Sequence, residues 1–172
     1  MIQLDLLDAS TLITAHNTYY AIDQVPEFWD WLQYQGEAGR VKLPQEIMEE
    51  VKAGRKENDL LIDWISQPEV EAALLLEEAA DIDLMQHVIS NGYAPDLNDV
   101  ELEAIGRDPF LIAYALAKPD ERCVVTVENK RPGAQRHKRK IPDVCITMGV
   151  QWCGPFTFTR RLGWHTGWKS NV

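Results

Sequence analysis

The chain has little cysteine and little histidine, and neither is spaced for zinc. Of the 172 residues only three are Cys and four are His. Cys123, Cys145 and Cys153 form no CxxC pair and are odd in number, which excludes a disulfide framework and a zinc ribbon. They read as buried free thiols of a reducing cytoplasm. His16, His87, His137 and His165 lie far apart, with no HxxxH or HExxH spacing. No apolar run approaches the roughly 20 residues of a membrane span, so no membrane contact is expected. The first residues lack a basic flank and a small-residue cleavage site, and they carry Asp5 and Asp8, so no signal peptide is expected. Internal repeats and low-complexity stretches are also missing.

What remains is a chain that is 45% apolar with a net charge of −10, enough for one domain over residues 1–172 with a substantial core. The negative balance argues against simple electrostatic binding of nucleic acid, but the charge is uneven. Residues 68–108 hold eleven acids against the single base Arg107, whereas 129–140 hold six bases and no acid. Those six are Lys130, Arg131, Arg136, Lys138, Arg139 and Lys140, a pattern that suits a nucleic-acid contact, a partner surface or a solvated loop.

Periodicity predicts a strand over 2–7, a helix from about Ser10, an amphipathic helix opened by Pro26, a short strand at 41–43 and a helix after Pro44. A helix over 57–66 and a longer one from Glu69 to about Ile89 follow, then a helix capped by Asn98 or Asp99. Asp108-Pro109 reads as an N-cap acid with Pro at the first helical position. RCVVTV (122–127) is the second firm strand, a helix begins near Pro142, GPFTFT resembles a late edge strand, and 160–172 reads as an irregular tail. Trp29 and Trp31 read as packing residues; Trp164 and Trp168 as anchors for that tail or stacking platforms; Tyr19 and Tyr20 as a wall near the first strand's acid. Strands separated by helices imply a three-layer α/β/α sandwich with a mainly parallel central sheet.

In such sheets ligands bind beyond the carboxyl ends of the strands. Asp8 ends the first strand, Glu128 follows the second, Asp108 opens the helix between them, Asp143 opens the next, and Glu50 lies in an inward-facing helical stretch. Each has an ordinary reading: Asp8 and Asp108 as caps, Asp143 as a helix-dipole partner, Glu50 as a solvated glutamate, Glu128 as a turn residue. Together they are a set of carboxylates at convergent positions, which would repel one another unless they share a hard cation. Oxygen-only ligation favours Mg²⁺ or Mn²⁺.

LLDASTLI (6–13), EIMEEV (46–51), DPFLIAYALA (108–117) and VVTVENK (124–130), in this order, resemble the PIN domains, a family of metal-dependent nucleases that includes the toxins of many toxin–antitoxin pairs. HNTYY, PEFWDWL and KIPDVC resemble a PIN-like subfamily. The resemblance implies metal ligation by Asp8, by Glu50 or its neighbour Glu49, by Asp108 and by Glu128, with Asp143 as a further oxygen donor. Ser10 and Thr126 join the catalytic set as hydroxyls beside these acids. Where many PIN domains carry Asp after the Thr of this strand, Glu128 stands here. The resemblance further implies hydrolysis of RNA phosphodiester bonds by a metal-activated water, RNA contact through the 130–140 loop, a cognate antitoxin and a homodimer. Two other readings are a degenerate PIN-like module that binds RNA or protein without catalysis, and a Mg²⁺-dependent phosphatase. The latter is disfavoured because Asp8-Ala9-Ser10 lacks the Asp-x-Asp of haloacid-dehalogenase-type enzymes.

Overall fold

The computed structural model describes residues 2–54 and 57–172. Four parallel strands, β1 (Leu4–Leu7), β2 (Val41–Lys42), β3 (Arg122–Val125) and β4 (Gln151–Cys153), form one sheet in the order β2-β1-β3-β4. β1 and β3 pair through Leu4–Arg122 to Leu7–Val125 and are the central strands, which is why both are nearly all apolar and buried. Parallel neighbours need a crossover each time, and helices supply it on both faces, giving a three-layer α/β/α sandwich.

Helix α1 (Ala9–Thr14) follows β1 directly and continues into a wider π turn at Ala15–Tyr19. α2 (Pro26–Glu37) opens on Pro26 and buries Phe28, Trp29, Trp31, Leu32, Gln35 and Gly36. Each large apolar side chain on that face contributes about 1.5–3 kcal/mol. Gly36 is required there, because a Cβ would stand 2.7 Å from the Ala73 carbonyl oxygen in the helix packed across it. α3 (Gln45–Lys52) and α4 (Leu60–Ile65) follow β2, and Asp59 caps the latter through the Leu61 and Ile62 amides.

The single helix expected from Glu69 to Ile89 is two. α5 (Pro68–Leu74) ends because Leu75 is extended and bridges Leu43: the Leu43 amide donates to the Leu74 carbonyl, and the Leu76 amide to the Leu43 carbonyl. α6 (Ile82–Val88) restarts with Asp81 as its cap. Good local helix propensity thus yields to a pairing over thirty residues away. α7 (Asp99–Ile105) begins with a capping box between Asn98 and Glu101. α8 (Asp108–Leu116) leads into β3 and packs on it. Its N-cap is Arg107, so Asp108 is the first helical residue and its carboxylate caps nothing.

α9 (Ile141–Met148) starts one residue before Pro142 and ends at Gly149, whose φ of +70° suits the left-handed stop. The late edge strand is Gln151–Cys153, and GPFTFT instead opens α10 (Pro155–Arg161), with Gly154 as N-cap and Pro155 in the first turn. The tail is not loose: Trp168 is buried, its indole N–H donating to the Glu27 carbonyl at 3.1 Å, and Trp164 packs edge-on against Phe28 and Tyr20. Trp29 and Trp31 are core residues, and all three cysteines are buried free thiols. Among the described residues, no helix is long and apolar enough to cross a membrane.

Candidate functional site

The strand order reverses between β1 and β3, since β1 connects outward to β2 on one side and β3 to β4 on the other. The carboxyl ends of these two strands therefore flank the sheet's switch point, where open α/β sheets bind ligands. Asp8 lies just past β1, and its amide donates to the Val125 carbonyl at 2.9 Å, extending the ladder by one residue. Thr126 lies just past β3, fully buried.

Asp8 occupies the N-cap position of α1, yet its side chain makes no cap hydrogen bond. Its Oδ2 instead accepts from the Ser10 hydroxyl at 2.5 Å and the Thr126 hydroxyl at 2.9 Å. Among the described residues Oδ1 has no donor. Thr126 also accepts at Oγ1 from the Glu128 amide at 3.1 Å, which fixes the start of the following loop. Glu128 itself accepts from the Ile141 amide at 2.8 Å, and Lys140 stands 3.7 Å from its other oxygen.

Asp108, Glu50 and Glu128 lie in the neighbourhood of Asp8, near enough for charge to act among them. The Asp108 carboxyl is pushed up to about 8, first by burial and then by the charges of Asp8, Glu128 and Glu50, against the opposing charge of Lys140. Glu50 is exposed by area, but the protein packed about its carboxyl still raises its pKa, with Asp8 second. Glu49 points elsewhere: it pairs with Arg107 at 2.7 Å and is held below the usual carboxylate range by Gln45 and Arg107. Of the two glutamates, Glu50 is the one in the cluster. Among the described residues, no group of three or more His, Cys, Asp or Glu side chains is placed to hold a metal ion.

Asp143 is not brought into the cluster. It is buried at the start of α9, where its Oδ2 accepts from the Arg131 amide at 2.7 Å, and its charge is not among those acting on Asp108. The basic loop also divides. Arg136 is committed to Glu101 and Asp96, at 2.7 Å to each, and His137 adds to the Glu101 cluster at 3.1 Å. Arg139 donates to the carbonyls of Gly92 and Asp143 and to the Thr147 hydroxyl, so it pins the π turn at 89–93 to α9. Lys140 faces Glu128. Lys130, Arg131 and Lys138 keep exposed side chains.

Two neighbours of the acids went unmarked in the sequence reading as site residues. The Tyr93 hydroxyl is buried without a partner among the described residues, and burial followed by the charges of Asp108 and Glu128 pushes it well above the ordinary range. Nothing in the sequence around Tyr93 announces this. Arg107 donates to the Glu46 carbonyl and to Glu49, and its charge opposes the rise at Glu50. Its signal was being the sole base in an acidic stretch.

Residues 6–166 match the family described as "Domain of unknown function (DUF4411)". No curated protein matches the chain.

Proposed function

The chain belongs to the DUF4411 family, and we propose that it is a PIN-like, metal-dependent ribonuclease acting in the cytoplasm. The observation that carries this reading is the convergence of Asp8, Glu50, Asp108 and Glu128 at the switch point of a parallel sheet. The donor types suit Mg²⁺ or Mn²⁺, since all are oxygen, the charges of Asp8, Glu128 and Glu50 raise the proton affinity of Asp108, and Asp8 Oδ1 lacks a donor among the described residues. The side chains would have to draw closer to share an ion. Asp8 and Asp108 would hold the ion, with Glu50 and Glu128 as the outer carboxylates. When bound, such an ion activates water as a nucleophile and neutralises charge on the scissile phosphate.

The chain's own groups prepare that arrangement. Ser10 and Thr126 donate to Asp8 Oδ2, which keeps the carboxylate from rotating and leaves Oδ1 free to accept a ligand bond. Glu50, whose proton affinity is raised and which stands outside the ion's two proposed ligands, is the natural acceptor of a proton lost by an attacking water. Lys130, Arg131 and Lys138 would contact RNA phosphates, while Arg136 and Arg139 hold the loop in shape. In a toxin–antitoxin setting, a cognate antitoxin would cover the same face.

The test is cleavage of single-stranded RNA by purified protein with Mn²⁺ or Mg²⁺. Cleavage should stop in EDTA and in Asp8→Asn, and full cleavage by both Asp8→Asn and Asp108→Asn would overturn the site. One observation favours a second reading, an RNA-binding module without catalysis: both Glu128 oxygens face protein donors, Ile141 N–H and Lys140. RNA binding with no metal-dependent cleavage selects it.

A further inference from the structure

The geometry points to a nucleobase-stacking subsite beside Glu128, built from Tyr19 and Phe156 and taking an unpaired base of single-stranded RNA. It rests on the ribonuclease reading and adds the substrate class. Phe28, Trp29, Trp31 and Phe158 are buried, but Tyr19 and Phe156 are each 46% exposed. They face one another edge to face, with ring centroids 5.1 Å apart at 71°. Tyr19 belongs to the π turn after α1, and Phe156 to the first turn of α10. Phe156 follows the carboxyl end of β4 closely, and Tyr19, in contact with it, lines the same cleft as Thr126 and Glu128.

A cleft of about 380 Å³ joins them to one of the four acids, Glu128: Thr126 and Glu128 line it together with Tyr19, Phe156 and Trp152. Tyr19 and Phe156 also line a small apolar cavity together with Val127, Pro155 and Phe158, so the surroundings of the rings are apolar. At the rim Lys130 stands with its ammonium 5.8 Å from the Trp152 ring centroid, a cation on the same wall as the aromatics.

These features fit a base with its phosphate better than an aliphatic ligand. A chain of net charge −10 with clustered carboxylates repels a polyanion, and Arg136 and Arg139 are committed to protein acceptors. Affinity must then come in part from contacts that do not depend on charge. Stacking of an unpaired base on an exposed aromatic face is such a contact, and it tolerates any base. Lys130 would take the adjoining phosphate.

The experiment uses the full chain in EDTA and two labelled probes: a dodecamer of uridylate and an abasic ribose-phosphate dodecamer with the same number of phosphates. Anisotropy should show the RNA bound about tenfold more tightly than the abasic chain, the scale of one base–aromatic stack. Phe156→Ala and Tyr19→Ala should each remove most of that difference without changing binding of the abasic chain, while Phe156→Tyr and Tyr19→Phe retain it. Lys130→Ala should weaken both probes alike, which separates a phosphate contact from a base contact. Melting curves check that each variant is folded. Equal binding of the two probes, or unchanged RNA affinity in both alanine variants, overturns the subsite and leaves the exposed rings to a protein partner. Cleavage in Mn²⁺ is scored separately. Base-dependent binding without cleavage refutes the nuclease reading alone, and cleavage without base-dependent binding refutes the subsite alone.

Discussion

The Thr126 hydroxyl donates to Asp8 Oδ2 at 2.9 Å, joining the ends of the two central strands across 118 positions of chain. Thr126 then accepts from the Glu128 amide. One buried hydroxyl therefore orients the Asp8 carboxylate through its proton and fixes the Glu128 backbone through its lone pair.

Thr126→Val keeps the shape and removes both hydrogen bonds. Asp8 retains Ser10, so the carboxylate is loosened but not abandoned. We expect a loss of about 1–3 kcal/mol in urea unfolding. Mn²⁺ affinity, read by calorimetry, should fall about 10- to 100-fold, the usual effect of removing a group that orients a ligand. Unchanged metal affinity would show that Thr126 serves the fold alone.

Asp108→Asn should act in opposite directions with and without metal. The Asp108 carboxyl is raised from 3.8 to about 8 by burial and by three carboxylates. An acid whose folded pKa lies above its unfolded value costs stability as pH rises through that window, from about 4 to about 8. In EDTA the wild-type melting temperature should therefore fall across this range, and Asp108→Asn should flatten the fall, gaining roughly 1–3 kcal/mol at neutral pH. Excess Mn²⁺ should stabilise the wild type by about 2.7 kcal/mol at a hundred times its dissociation constant. The variant should gain little. Equal Mn²⁺ shifts in the two proteins count against Asp108 as a ligand.

Glu101 controls the basic loop from outside the site. Hydrogen bonds from Arg136, and then from the Asn98 amide, hold its carboxyl down at about 2 from an ordinary 4.5. The sign is the reverse of Asp108: this stabilisation is present above about 4.5 and is lost as pH falls toward 2. Glu101→Gln should lower the melting temperature at pH 7, with the difference closing toward pH 2. A gap that stays constant with pH would mean that the charge on Glu101 is not what holds Arg136.

The sequence carried more of the site than of its surroundings. Asp8, Asp108 and Glu128 were legible because each stands at a strand or helix boundary, and boundaries are written in local signals: an apolar run that stops, or an acid beside Pro109. Choosing Glu50 over Glu49 needed Arg107, fifty-eight residues from Glu49, to claim its partner. The break in the 69–89 helix likewise depends on Leu43 pairing with Leu75, and no window of local propensity contains both. GPFTFT was misread for a different reason. Its aromatic and Thr residues favour strand, but Gly154 and Pro155 are a cap and a first-turn proline, and that local signal prevailed. Arg136 and Arg139 look like free bases in sequence, because their acceptors, Glu101 and the Gly92 carbonyl, lie 35 and 47 positions away.

Asp5 supplies the internal comparison for Asp8. It lies within β1 rather than at its end, buried, with Arg161 from α10 as its ion-pair partner. Burial raises its carboxyl and the guanidinium pulls it back down, while its Oδ2 has no partner among the described residues. Arg161→Met should cost about 3 kcal/mol, the low end for breaking a buried pair, because the Arg161 side chain is itself 34% exposed. The cost arises from stranding Asp5 without its cation. Asp5→Asn with Arg161→Met should therefore recover most of it, and a double variant no more stable than Arg161→Met would refute that origin. Asp5→Asn should leave RNA cleavage intact where Asp8→Asn abolishes it. The two acids stand three positions apart, and what distinguishes them is place: one is consumed inside the sheet by an arginine, and the other is delivered to its edge among carboxylates.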